Sequence, residues 1–256
     1  MSIVLHPDDP AACHCHADAA DNARAEGGGE LSRRRLLLAG MAGTAAGILA
    51  GAGAGLADPS AALAQNPPTP DAALQLLLQG NQRYVAGTLA SVNTDLALAR
   101  AKTAQKQRPF AAVLSCADSR VPVEWIFDAV IGRVFVTRVA GNIATPEIIA
   151  SLEFGTRFLG AKLILVLGHD GCGAVNAALK GTATPGQISG LYSYIRPAID
   201  QAGATQLEPA IAANAKYQAA LLRDSSPLLG QLIAAGKLKI VAALYHLASG
   251  RVTVLT

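Results

Sequence analysis

The sequence predicts an α/β fold, in which a mainly parallel central β-sheet is flanked by helices and carries an antiparallel edge strand. Short apolar runs rich in β-branched residues alternate with longer segments of helical periodicity, the order that produces parallel strands joined by helical crossovers. The last two apolar runs are separated by a turn at Gly250-Arg251, which is short enough for a hairpin. A chain of 256 residues, 51% of them hydrophobic, is long enough to bury one sizeable core.

The individual elements follow in order along the chain. Asp71 is predicted to cap a first helix with apolar residues recurring from 73 to 85, and a more polar second helix is predicted from Leu96 to Gln105. Pro146 occupies the first-turn position that proline favours, so a helix is predicted to begin there. The remaining predictions are strands at 109–115, 134–139, 162–167, 238–244 and 252–255, and helices at 122–128, 173–179, 188–202, 207–223 and 227–235.

Residues 1–64 differ in composition from the rest and have the pattern of a signal peptide. The n-region, 1–35, ends in Arg33-Arg34-Arg35, the h-region, 36–57, is almost all Ala, Gly and Leu, and Ala62-Leu63-Ala64 is an A-x-A cleavage site. The paired arginines resemble a twin-arginine signal. We therefore expect export to the periplasm, with membrane contact only through this segment if it stays uncleaved as an anchor.

The expected mature chain consists of a linker at 65–70 and one domain at 71–256. The formal net charge is +3, and no basic stripe with interleaved aromatic residues is present, so a nucleic-acid partner is not expected. Two of the four cysteines lie in the predicted leader, which leaves Cys116 and Cys172. In an exported protein these two could form a disulfide, and a non-enzymatic, disulfide-stapled binding protein is therefore one alternative.

Two short polar stretches, each directly after a predicted buried strand, indicate a metal site. Cys116 follows the first strand, and His169 and Cys172 follow the third. Two thiolates and one imidazole are a ligand set that Zn²⁺ takes, and three protein ligands leave a fourth position for water, as in catalytic sites. Asp118 and Arg120 lie in the first loop, where a carboxylate and a guanidinium exceed what a structural zinc site needs.

With these residues the sequence resembles the β-class carbonic anhydrases. The C-x-D-S-R loop of that family stands here as Cys116-Ala117-Asp118-Ser119-Arg120, and its H-x-x-C-G as His169-Asp170-Gly171-Cys172-Gly173. Segments 136–142, 151–154 and 245–250 also match family segments, and the order and spacing together are specific. The resemblance covers about residues 71–256 and implies the β-carbonic anhydrase fold.

The resemblance implies a zinc lyase that interconverts CO₂ and bicarbonate, with one Zn²⁺ per chain. Cys116, His169 and Cys172 would hold the zinc, and zinc-bound hydroxide would attack CO₂ to give bicarbonate and a proton. Asp118 would orient the reacting water, and in some members this residue becomes the fourth zinc ligand in a closed, inactive site. Arg120 would hold the carboxylate away from the metal.

The resemblance also implies substrate-binding residues and an assembly. Gln107 would donate a hydrogen bond to a substrate oxygen, with an ordinary surface loop as the alternative, and the Gly173 N–H would make a second such contact. Phe135 and Phe154 would line a small apolar pocket, with ordinary core positions as the alternative. Family members are homodimers or multiples of dimers, with partner residues lining the active site.

Two further alternatives keep the same fold. A hydrolase of CS₂ or COS would use the same residues, because these substrates are isosteric with CO₂. A zinc-binding protein with a permanently closed site would also keep Asp118 and Arg120.

Overall fold

The computed structural model describes residues 66–256, and the predicted signal peptide at 1–64 lies outside these residues. The five strands are β1 (Ala111–Ser115), β2 (Val134–Arg138), β3 (Leu163–His169), β4 (Lys239–Tyr245) and β5 (Val252–Leu255). The helices are α1 (Pro70–Val85), α2 (Leu96–Thr103), α3 (Val123–Ile126), α4 (Pro146–Arg157), α5 (Gly173–Lys180), α6 (Tyr192–Ala202), α7 (Leu207–Ser225) and α8 (Pro227–Ala234). Short 3₁₀ helices lie at Ser91–Asn93 and Ile188–Leu191.

The strands form one sheet in the order β2-β1-β3-β4-β5. The first four strands are parallel, and β5 pairs antiparallel with β4 at the edge, as the sequence predicts. The turn between β4 and β5 is closed by the Gly250 N–H, which donates to the His246 carbonyl at 2.8 Å. Gly250 has φ +71°, and a Cβ there would lie 2.9 Å from the Tyr84 ring, so a larger residue would not fit this turn.

Both faces of the central strands are covered, which explains their uninterrupted apolar runs. Every residue of β1 and β3 is buried. Leu163, Leu165 and Leu167 of β3 pack into one core cluster with residues of α1 and α3, such as Leu77 and Ile126. The alternate residues of the strand pack on the other face against α4, α7 and α8. The fold is therefore a three-layer α/β arrangement, and the α/β prediction is confirmed.

Element boundaries differ from the prediction in a few places. The first helix begins at Pro70, inside the predicted linker 65–70, and its N-cap is Thr69, whose side chain accepts a hydrogen bond from the Ala72 N–H. The prediction of Asp71 as the cap was wrong, because Pro70 already has the fixed φ that suits the first helical position. The predicted helix at 188–202 is divided into a 3₁₀ turn and α6.

Among residues 66–256, no helix has the length and apolar character needed to cross a membrane.

Candidate metal centre

The sheet topology brings the two polar motifs to one place. β1 lies between β2 and β3, so the chain leaves β1 to one side and later returns to its other side. In open α/β sheets, ligands bind at the carboxyl ends of strands where the winding reverses in this way. Cys116 directly follows β1, His169 is the last residue of β3, and Cys172 immediately precedes α5.

The three predicted metal ligands form a compact buried cluster. One ligand atom from each of Cys116, His169 and Cys172 lies within 4.8 Å of the other two, and all three residues are buried. Both cysteines are free thiols, so the structure gives no support to the disulfide-stapled alternative. The donor set and its spacing fit a tetrahedral Zn²⁺ with one position left over for a non-protein ligand.

The ring of His169 is oriented as a metal ligand requires. Its Nδ1 lies 2.9 Å from the carbonyl oxygen of Asp170, which accepts a hydrogen bond when Nδ1 carries the proton. The same tautomer leaves a lone pair on Nε2. Within the described part of the chain this Nε2 is fully buried without a hydrogen-bond partner. A buried, unpaired nitrogen is costly unless it has a ligand, and a metal ion at this position would satisfy it.

The electrostatics of the cluster favour a cation. A hydrogen bond from the Cys172 thiol lowers the pKa of Cys116 to about 4, and the neighbouring His169 ring and a hydrogen bond from the Gly141 N–H act in the same direction against the effect of burial. The bond to Cys116 and burial together raise the pKa of Cys172. Burial lowers the pKa of His169, but Cys116, the Asp170 carbonyl and Asp118 together raise it by more. The two thiols therefore share one proton. A metal cation would take the place of this proton.

Asp118 and Arg120 form a two-pronged ion pair at the edge of the cluster. Arg120 donates from Nε to Asp118 Oδ1 at 3.0 Å and from Nη2 to Oδ2 at 2.8 Å. These bonds hold the pKa of the Asp118 carboxyl well below its usual range, so the side chain is an anion that only accepts hydrogen bonds. Oδ2 lies 3.9 Å from His169 Nε2, which places the carboxylate beside the ligand set.

The predicted substrate-binding residues are distributed over the molecule. Gly173 is the first residue of α5, next to Cys172, and the position of a Cβ there faces open space. Phe135 is the second residue of β2, with its ring against Gly155 of α4. Phe154, on the same helix, is half exposed and packs on Phe158 with 5.5 Å between the ring centroids.

Gln107 is not brought to the metal centre of its own chain. It precedes β1, at the amino ends of the parallel strands, whereas Cys116 follows the carboxyl end of the same strand. The residue is exposed and lines an open cleft of about 790 Å³ together with Arg108, Arg157 and Phe158. A direct contact between Gln107 and a substrate held at its own chain's metal centre is therefore excluded by the strand geometry.

The sequence did not identify several residues that support the centre. The Gly141 N–H donates to Cys116 Sγ at 3.4 Å, and the Gly141 carbonyl accepts from Asn214 of α7 at 2.8 Å. Arg138 donates to the carbonyls of Cys116 and Asp118. The quoted segment 136–142 contains two of these residues, but nothing in its pattern indicates which atoms they contact.

Comparison with known proteins agrees with the site. The family model described as carbonic anhydrase matches residues 111–252. A carbonic anhydrase of Mycolicibacterium smegmatis is 37% identical over 190 residues, which are 72% of this chain and 92% of that protein. Carbonic anhydrase 2 of Mycobacterium tuberculosis is 36% identical over 71% of this chain and 91% of its own length.

Solved structures show the same similarity in three dimensions. The Coccomyxa β-carbonic anhydrase in complex with acetazolamide superposes with a TM-score of 0.56 and 28% identity, covering 71% of this chain and 86% of that one. The β-carbonic anhydrase CcaA gives a TM-score of 0.56 at 25% identity over the same shares of the two chains.

Proposed function

This chain belongs to the β-class carbonic anhydrase family, and on that premise we propose that its buried cysteine–histidine–cysteine cluster holds one zinc ion for the reversible hydration of CO₂ to bicarbonate and a proton. The observation that carries the proposal is the juxtaposition of Cys116, His169 and Cys172 within 4.8 Å, with His169 Nε2 buried and unpaired in the described region. When bound, zinc acts as a Lewis acid that lowers the pKa of a water molecule to about 7.

The protein's own groups hold the ligands in the form that the metal needs. The Asp170 carbonyl fixes the proton of His169 on Nδ1. The Gly141 N–H donates to Cys116, and backbone N–H groups at the start of α5 act to lower the pKa of Cys172, against the larger effects of Cys116 and of burial that raise it. Hydrogen bonds to a thiolate stabilise its negative charge, so both cysteines are supported as anionic ligands.

Asp118 orients the attacking water and Arg120 restrains Asp118. Because the carboxylate only accepts hydrogen bonds, the reacting water must donate to it, which leaves a lone pair of the water free to face CO₂. The two bonds from Arg120 keep both carboxylate oxygens occupied outside the ligand set. Loss of these bonds would allow Asp118 to become the fourth ligand, the closed state implied by the family. We infer that the Gly173 N–H, at the beginning of α5, donates to a substrate oxygen, since a Cβ built on this residue would face open space.

We propose that the remaining predicted substrate contacts come from a second copy of the chain, in a homodimer or a multiple of dimers. Gln107 and the metal ligands lie at opposite ends of one chain's sheet, so a glutamine contact with substrate requires the partner subunit. Three apolar side chains at or beside the Gln107 cleft are exposed: Ile131, Phe154 and Phe158 are 45%, 49% and 74% exposed. Exposed apolar surface of this kind is typical of an interface. In this arrangement Phe135 and Phe154 line the apolar side of a shared pocket.

Export to the periplasm is a separate proposal that rests on the sequence pattern of residues 1–64 alone. We infer a twin-arginine signal that delivers a folded, metal-loaded protein, because that route would protect the thiolates from oxidation. Sequencing the amino terminus of the exported protein tests this directly: a terminus at Gln65 supports cleavage after Ala64.

The test of the proposed activity is stopped-flow CO₂ hydration by the full chain, with zinc content and free thiols measured on the same sample. We expect about one zinc per chain and rapid hydration. His169→Asn should lose both, whereas His246→Asn, which changes a histidine outside the ligand set, should lose neither. Stoichiometric zinc with hydrolysis of COS or CS₂ but no CO₂ hydration would favour the alternative hydrolase. The absence of both zinc and free thiols would refute the proposal in favour of a disulfide.

A further inference from the structure

The loop that carries Cys116 and Asp118 is held by a side chain from the neighbouring strand. Arg138, the last residue of β2, donates from Nε to the Cys116 carbonyl at 2.9 Å and from Nη2 to the Asp118 carbonyl at 2.5 Å. Both carbonyls lie beyond the last paired position of the two strands, Ser115 opposite Arg138. The guanidinium therefore extends the attachment between β1 and β2 past the end of their backbone pairing.

This attachment acts where the loop has no regular structure of its own. β1 ends at Ser115, and the next three residues belong to no helix, strand or turn. The first of these residues is a predicted metal ligand and the third carries the carboxylate beside the metal position. Two different arginines hold Asp118: Arg120 binds its side chain and Arg138 binds its backbone carbonyl. A shift of the loop would therefore move a ligand sulfur and the neighbouring carboxylate together.

We propose that Arg138 is a positioning residue for the metal centre, which directs Cys116 Sγ toward the other ligands and keeps the Asp118 carboxylate outside the ligand set. The inference rests on the proposed zinc function. Arg138 belongs neither to the cysteine–histidine–cysteine set nor to the Asp118–Arg120 pair, so it would be an additional residue that supports the site. Arg138 acts through the two carbonyls and touches neither metal nor substrate.

The chemistry of the contact requires a guanidinium. Its planar group presents Nε and one Nη as parallel donors with fixed spacing, which matches two carbonyls on one loop. A lysine would keep the positive charge but provide a single flexible ammonium group. Within residues 66–256, Arg138 forms no ion pair with a carboxylate, so charge neutralisation does not explain its position. Replacement by lysine thus separates the geometric contribution from the charge.

The experiment compares Arg138→Lys and Arg138→Gln with the unaltered full chain after exchange of the metal for cobalt(II). The visible spectrum of cobalt reports coordination number and thiolate ligation, and competition with a chelator gives metal affinity. We expect both variants to bind cobalt 10- to 100-fold more weakly, as for other groups that orient metal ligands, and to show an altered spectrum. Arg100→Gln, at an exposed arginine of α2 outside the ligand loop, should match the unaltered protein.

The outcomes separate this inference from the proposed function. If the unaltered chain binds cobalt and hydrates CO₂ with zinc, but both Arg138 variants keep its affinity within twofold and its spectrum, the positioning role is overturned and the proposed function stands. If the unaltered chain binds neither metal, the proposed function and this inference both fall. A decrease in affinity with an unchanged spectrum, in step with a lower melting temperature of the metal-free protein, would show a general structural role and would also overturn the inference.

Discussion

Replacing Gln218 with methionine should destabilise the fold and weaken the metal centre together. Gln218 of α7 is completely buried, and its Oε1 accepts from the Ala144 N–H at 2.9 Å while its Nε2 donates to Asn214 Oδ1 at 3.1 Å. Asn214 in turn donates to the Gly141 carbonyl at 2.8 Å. These two amides therefore attach α7 to both ends of the segment 141–144, from which Gly141 donates to Cys116 Sγ.

The expected magnitude follows from the groups that would lose their partners. Methionine has nearly the volume of glutamine, so the packing is preserved and the loss is one of hydrogen bonds. The Ala144 N–H and Asn214 Oδ1 would remain buried without a partner, at about 1–3 kcal/mol each. The third partner, the Tyr194 carbonyl, lies inside α6 and keeps its helical hydrogen bond. The free energy of unfolding should therefore fall by about 2–6 kcal/mol.

Urea unfolding of the zinc-loaded protein, followed by circular dichroism, measures this change. Gln231→Met is the matched control, since Gln231 is exposed on α8 and the same exchange there should alter the free energy of unfolding by less than about 0.5 kcal/mol. Chelator competition on both variants should show weaker zinc binding only for Gln218→Met. A loss below about 1 kcal/mol at Gln218, relative to this control, would refute the reasoning from buried unpaired groups.

Three further predictions concern the centre and its surroundings. Arg120→Ala should reduce CO₂ hydration by about 10- to 100-fold and change the cobalt spectrum as Asp118 enters the ligand set; unchanged activity and spectrum would contradict this. In metal-free protein, Cys116 should remain a thiolate as the pH falls until about pH 4, because its pKa is lowered from 9.0 to about 4. The thiolate absorbance at 240 nm should therefore disappear near pH 4. A single transition near pH 9 would show that the pKa of Cys116 is not lowered. Gly155→Ala should lower stability by about 1–3 kcal/mol in thermal denaturation, because the new Cβ would lie 2.9 Å from the Phe135 ring; an unchanged melting temperature would mean that this ring moves freely.

The sequence was sufficient for the strands and for the metal ligands because both depend on local pattern. Strands buried on two faces require continuous apolar runs, and β1 and β3, which are buried along their whole length, have such runs at 111–114 and 163–167. The ligands follow those runs directly, so locating the strand ends also located the ligands. Asp118 and Arg120, which form a hydrogen-bonded pair, lie two residues apart in one loop, so their pairing could also be predicted from the sequence.

The support of the centre was not predictable in the same way, since it depends on contacts between distant segments. Asn214 and Gly141 are 73 residues apart in sequence, and Gln218 and Ala144 are 74 apart. Buried amides in a helix have no pattern that distinguishes them from exposed ones until the helix is docked. Gln107 could be recognised only by its spacing from Cys116, and that spacing could not show that an intervening strand separates the two residues.

Because the ligands are divided between the ends of β1 and β3, a bound ion would stabilise the fold in addition to its chemical role. Cys116 directly follows one central strand and His169 is the last residue of its neighbour, so a bound ion would be a cross-link that closes a loop of roughly 50 residues. In the chain-entropy model such a cross-link restricts the unfolded chain by about 4 kcal/mol. Protein that loses its metal thereby also loses a fastening between the two strands at the middle of its sheet.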